Sequence, residues 1–250
     1  MLKAGKIITC RIMSDLVLKY VTQILSDTLQ LFFPHTCLGC GSDLVYKDDL
    51  LCLRCFSNLP YTGYEQIENN PVEKIFRGRT NIKAATSQFY FSKGFVVQQL
   101  IHQLKYKGNK EVGHFLGMLM GRSLLESERF KNLDYFIPLP LFADKEFKRG
   151  FNQSAVICHG MAATMQVPVL LENVIRKKYT DTQTRKHRAE RWENVAGSFA
   201  VTDSDKLIGK NVLLVDDVIT TGATLEACAA CLHKIAGINI SFATLATASK

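Results

Sequence analysis

The stretch VLLVDDVITTGAT at residues 212–224 runs an apolar segment into two adjacent acids, Asp216 and Asp217, and then into Thr220, Thr221, Gly222, Ala223 and Thr224. Neighbouring carboxylates repel, so such a pair needs a ligand, a metal or solvent to answer its charge. The aliphatic residues predict a buried strand ending at Val215, with a helix opening near Ala223. Ligands of open α/β sheets bind where strands end in this way. The helix N-terminus offers free N–H groups and a positive dipole end to an anion. Gly222 lets the backbone come close, and a side chain there is expected to block a phosphate. The threonines add hydroxyl donors. Beside the phosphate, the two carboxylates can accept hydrogen bonds from vicinal hydroxyls or help to hold a hydrated Mg²⁺. Phosphate plus vicinal hydroxyls describes a ribose 5-phosphate. A generic strand–turn–helix with chance acids is the alternative, and it leaves the paired charge unexplained.

A second cluster is Cys37-x-x-Cys40 and Cys52-x-x-Cys55, with eleven residues between the pairs. Four thiolates in two knuckles suit a closed, tetrahedral and therefore structural Zn²⁺ site. Thiolate also favours zinc over magnesium or calcium. Two disulfides or four free thiols are the alternatives. Cys228 and Cys231 form another C-x-x-C, but among alanines on a predicted helix they read as small core residues.

Basic residues gather in two further segments. KEFKRGFNQS places Lys145, Lys148 and Arg149 ahead of Gly150 and a helix beginning at Asn152. A basic loop entering a helix is a second anion site, or else a solvated loop. TRKHRAER at 184–191 holds Arg185, Lys186, His187, Arg188 and Arg191. Lys105 and Lys107 flank Tyr106 at a helix end, where cations complement the dipole. The formal net charge of +8 favours phosphate metabolites, nucleic acid or a membrane surface as partner, or serves general solubility. Arg11, Asp15 and Lys19 interrupt the first apolar stretch. It is too short for a signal-peptide core and too charged for a span of about 20 apolar residues. A cytoplasmic chain with no membrane span is expected.

The elements that must position these residues follow from periodicity. Leu16, Val17, Tyr20, Val21, Ile24, Leu25, Leu29 and Phe32 predict an amphipathic helix over 14–33. Residues 1–12 carry no pattern, which leaves a leader or a start at Met13 equally open. Strands are expected at 83–91, 134–140, 211–216 and 238–247, and helices at 95–107, 110–125, 152–165 and 223–237. Segments 173–180 and 196–202 read as a strand pair holding out a long basic loop. Alternating strands and helices imply a mainly parallel sheet covered on both faces. The division expected is a leader and helix (1–33), a zinc-binding module (34–60) and an α/β domain (81–250).

These motifs carry a family resemblance. VLLVDDVITTGAT resembles the phosphoribosyl-pyrophosphate (PRPP) signature of type I phosphoribosyltransferases. LFFPHTCLGCG, LIHQLKYKG, IPLPLFADKEFKRGFNQS, TDTQTRKHRAERWENVAGSF and the signature, in that order, resemble the ComF family of competence-associated phosphoribosyltransferase-like proteins across roughly residues 24–248. The resemblance implies a zinc-binding N-terminal module before a type I phosphoribosyltransferase fold. It implies that Asp216 and Asp217 meet the ribose hydroxyls of PRPP, bound with Mg²⁺, and that 220–224 hold its 5-phosphate. Arg149 and Gly150 fall in the pyrophosphate loop. Gln183, Thr184, Arg188 and Arg191 fall in a hood that closes over the ligand. Many relatives carry His where this chain has Phe142. The partners implied are PRPP or a nucleotide, and in DNA uptake single-stranded DNA and a competence helicase. Two functions remain open: a transferase moving phosphoribose to a base or amine that the sequence does not identify, or a binding module for ribose phosphates of nucleotides or DNA.

Overall fold

The computed structural model describes residues 35–43, 45–46, 49–91, 96–177 and 198–248. The expected helix at 14–33, the question of residues 1–12 and the basic loop 178–197 lie outside these residues. The chain divides between Ser57 and Asn58 into two compact units.

In the first unit, two turns and one short helix, α1 (Leu53–Ser57), carry the cysteines. Gly41 N–H donates to the Cys37 carbonyl at 2.8 Å and closes the first knuckle. Gly41 sits at φ +74°, where a side chain would be strained.

The second unit is built on a four-stranded parallel sheet in the order β1-β6-β5-β2. Its strands are β1 (Ala84–Phe91), β2 (Tyr135–Pro138), β5 (Asn211–Ile219) and β6 (Asn239–Ala248). Strands β3 (Val174–Arg176) and β4 (Phe199–Val201) form a separate antiparallel pair, as the sequence predicts. The helices are α2 (Pro71–Phe76), α3 (Val96–Tyr106), α4 (Lys110–Leu125), α5 (Ala143–Arg149), α6 (Gln153–Met165) and α7 (Ala223–Leu232).

The sheet is buried on both faces, which explains why its strands read as nearly continuous apolar runs. On one face Val72 and Phe76 of α2 and Leu225, Cys228 and Leu232 of α7 join Leu214, Ile240 and Phe242 in one core cluster. Residues of the opposite parity, such as Leu213, Val215 and Ala243, are equally buried. Helices α4 and α6 pack against each other and against the sheet. Their crossing is backbone on backbone: a Cβ on Gly117 would lie 2.2 Å from the Ile157 carbonyl oxygen, and one on Gly160 would lie 2.1 Å from that of His114. This close approach fixes α6, whose first turn reaches the strand ends.

Three expectations are corrected. Strand β5 continues past Asp216 to Ile219, because β6 goes on pairing with it at Asp216↔Thr244 and Val218↔Ala246. The helix expected over 223–237 ends at Leu232, and a turn carries the chain to Gly237. The basic loop before Asn152 is largely the short helix α5, which buries no residue. Its sequence ADKEFKR starts with acids and ends with cations, in accord with the helix dipole, and Gly150 at φ +78° terminates it.

Candidate functional site

Strand β2 pairs with β5 only as far as Pro138↔Val215. Beyond that point, among the described residues, only β6 pairs with β5, and the two acids lie in this overhang. Adjacent residues of a strand leave opposite faces, so the acids meet different neighbours. Asp217 turns toward the end of α3, where Lys105 Nζ stands 2.9 Å from both of its carboxylate oxygens. Asp216 Oδ1 accepts the Asp217 N–H at 2.8 Å and the Ser154 hydroxyl, from the first turn of α6, at 3.3 Å. Burial and the charge of Asp217 push the Asp216 carboxyl up to about 7, against the opposing pull of the Asp217 N–H, Lys105 and Ser154.

Lys105 changes the argument from the sequence. The charge of Asp217 is answered inside the chain, by a lysine that helix-dipole reasoning alone explains. No local signal links Lys105 to Asp217, 112 residues away. Ser154 was equally illegible.

The turn after the acids is as the sequence predicts. Gly222 has φ +71° and serves as N-cap of α7, while Thr220 and Thr221 are exposed. Its free space is not where expected. A Cβ at Gly222 would meet the Phe76 ring at 2.6 Å, so the glycine is required by packing against α2, not only by a ligand. Arg79, just beyond α2, donates from Nη1 to the Thr221 carbonyl at 2.8 Å and pairs through Nη2 with Glu226 of α7.

Of the other predicted residues, Arg149 closes α5 and donates from Nη1 to Gln153 Oε1 at 2.7 Å. Gly150 follows it as C-cap. Gln183, Thr184, Arg188 and Arg191 lie outside the described residues. Phe142 has a packing role: the Arg176 guanidinium carbon stacks 3.6 Å from its ring centroid and 5.0 Å from that of Phe199. Burial lowers the Arg176 pKa, and nearby Asp216 opposes that shift. Cys228 is fully buried in the core and Cys231 packs partly against it, which matches their reading as core residues.

In the cysteine unit the ligand atoms of Cys37, Cys40, Cys52 and Cys55 all lie within 4.8 Å of one another. Thiolates about 2.3 Å from a tetrahedral Zn²⁺ stand about 3.8 Å apart. Cys40 and Cys52 sulfurs are 3.8 Å apart, which suits a shared ion and is far beyond a disulfide bond of about 2.05 Å. None of the four cysteines is in a disulfide. Cys37 Sγ accepts N–H groups from Cys52 at 3.2 Å and Gly39 at 3.4 Å. Burial pushes this thiol up, but the N–H groups of Cys52, Cys40 and Gly39 outweigh it and bring it to about 6. Burial raises the Cys55 thiol. The cluster could hold a metal ion such as zinc.

Comparison with known proteins bears on the fold and the family. Residues 143–250 match the phosphoribosyl transferase domain family. Competence protein F of Haemophilus influenzae is 25% identical over 213 residues, covering 82% of this chain and 93% of that protein. Competence protein ComFC of Bacillus subtilis is 23% identical over 201 residues, 76% of this chain and 80% of its own length. These similarities support a ComF family protein. DNA utilization protein YhgH of Shigella flexneri is 32% identical over 138 residues, which are 54% of this chain and 60% of that protein. The chain thus has a type I phosphoribosyltransferase fold, with a cysteine cluster toward its N-terminus. No helix among its described residues is long and apolar enough to cross a membrane.

Proposed function

We propose that this chain binds PRPP, or the ribose 5-phosphate group of a nucleotide, at Asp216–Thr224, and that it does so in competence and DNA uptake. One observation carries the reading. Two carboxylates stand where β5 overhangs β2, and the next turn opens a helix through a left-handed glycine. Carboxylates suit sugar hydroxyls, and a helix N-terminus suits a phosphate. The relatives' names, competence protein and DNA utilization protein, support the setting.

In this reading Asp217, held by Lys105, is the fixed acceptor for one ribose hydroxyl, and Asp216 accepts the other once ionised. Backbone N–H groups at 222–224 and the hydroxyls of Thr220, Thr221 and Thr224 take the 5-phosphate. Arg149 and Gly150 serve the pyrophosphate, and Gln183, Thr184, Arg188 and Arg191 close over it. Mg²⁺ accompanies PRPP. Zinc in the four-cysteine module (34–60) is structural, and the 81–250 domain acts in the cytoplasm, with single-stranded DNA and a helicase as partners. If phosphoribose is transferred, these residues orient PRPP and stabilise the departing charge.

Calorimetry with PRPP and Mg²⁺ tests the site. The double variant Asp216→Ala/Asp217→Ala is expected to lose binding, and affinity equal to the parent's would remove the assignment. Pyrophosphate release in the presence of candidate bases or amines separates a transferase from a binding module.

A further inference from the structure

The phosphate loop is gripped by a segment that lies far from it in sequence. Arg79 donates from Nη1 to the Thr221 carbonyl oxygen at 2.8 Å and to the Ile75 carbonyl oxygen at 3.1 Å. Its Nη2 pairs with Glu226, whose own N–H donates to the Gly222 carbonyl at 3.0 Å. Phe76 fills the side of Gly222 where a Cβ would stand. The loop is thus clasped by Arg79 at the Thr221 carbonyl and by Phe76 of α2 against Gly222.

The Thr221 carbonyl and the Gly222 N–H belong to one planar unit, and in a trans peptide they point in opposite directions. A guanidinium holding that carbonyl therefore turns the Gly222 N–H away from Arg79. Among the described residues no acceptor within the chain takes up that N–H. An N–H held outward at the start of a ten-residue helix is a directed donor to an anion.

We propose that Arg79 is a positioning residue for the phosphate loop: by fixing the Thr221 carbonyl it aims the Gly222 N–H at the ligand's phosphate. This rests on the reading of 220–224 as a phosphate site. Arg79 acts through the peptide and does not itself touch the ligand. The same clasp makes the segment after α2 part of the site, although the family signature begins more than a hundred residues later.

Binding of ribose 5-phosphate is measured by calorimetry for the parent, Arg79→Gln, Arg79→Ala and Glu226→Gln. Arg79→Gln is expected to weaken binding about tenfold or more, as the loss of a charge-assisted, well-directed donor implies. Glu226→Gln leaves the carbonyl contact in place and is expected to stay within about twofold of the parent. Added methylguanidinium is expected to restore much of the affinity of Arg79→Ala. Equal affinity of Arg79→Gln and parent would overturn the proposal. So would a loss in Glu226→Gln as large as in Arg79→Gln, because the ion pair and not the carbonyl contact would then be what matters. A crystal structure of Arg79→Gln gives a readout that needs no ligand: the Thr221–Gly222 peptide is expected to turn. If the parent does not bind ribose 5-phosphate, the site reading fails, and an unturned peptide in that crystal would overturn the brace separately.

Discussion

Asp216 and Asp217 are neighbours with different electrostatic fates. Asp217 is paired with Lys105, while Asp216 is raised to about 7 from an ordinary 3.8 by burial and by Asp217. The folded chain keeps the Asp216 proton up to about pH 7, whereas an unfolded aspartate releases it near pH 4. Folding stability from this group is therefore undiminished below about pH 4 and is lost as pH rises to about 7. The full shift would be worth at most about 4 kcal/mol, and because Asp216 is only half-buried the contribution falls to about 2. Asp216→Asn is thus expected to raise stability at pH 8 by about 2 kcal/mol and to change it little near pH 4, read by urea unfolding at both pH values. The same ionisation is expected to make PRPP affinity climb between pH 6 and 8 in the parent. Lys105→Met leaves the mostly buried Asp217 without its partner, for an expected loss of about 2 kcal/mol. Adding Asp217→Asn is expected to recover part of that loss. A double-mutant cycle showing strict additivity would dissolve the pair.

At the scale of elements, the turn into α7 and the knuckles around α1 are where substitutions are expected to tell most. Gly222→Ala places a methyl group 2.6 Å from Phe76 at a left-handed φ of +71°. Strain and overpacking together predict a loss of about 2–4 kcal/mol, visible as a lowered Tm before any ligand is added. A variant as stable as the parent that still fails to bind phosphate would return the glycine's role to the ligand alone. In the cysteine unit the expected metal content is about one Zn²⁺ per chain. Cys52→Ser is expected to lose the ion and to lower solubility, with elemental analysis and thiol titration as the measurements. Protein free of zinc, with four freely titrating thiols, would exclude a structural metal site.

For the whole molecule, charge and one exposed ring bear on nucleic acid. The chain carries +8 overall. Helix α5 buries nothing, and it presents Phe147, 89% exposed, between Lys145 and Lys148. Cations beside an exposed ring suit a single strand, whose phosphates set the salt dependence and whose bases stack. In anisotropy titrations at several salt concentrations, Lys145→Gln/Lys148→Gln is expected to flatten the log–log slope by up to about 1.4, at about 0.7 per phosphate contact. An unchanged slope would take α5 out of the interface, and no binding at low salt would leave a small-molecule site as the better account.

What the sequence by itself determined was whatever is written locally. The acids, the hydroxyl-rich turn and the helix after it are consecutive, so the site's chemistry and its place beside a strand could be read from one segment. Four cysteines at knuckle spacing named their own cluster. The alternation of apolar strands and amphipathic helices predicted the parallel sheet, because burial on both faces leaves a continuous apolar run. Only the tertiary structure decided what depends on which strands end where and which helices cross. Strand β5 runs on to Ile219 because β6 is there to pair with it. Lys105, Ser154 and Arg79 come to the site from 112, 62 and 142 residues away, and no periodicity encodes such a meeting. The raised carboxyl of Asp216 follows from burial and from Asp217, against the pull of Lys105 and Ser154, since the field at such a carboxylate is set by what packs around it.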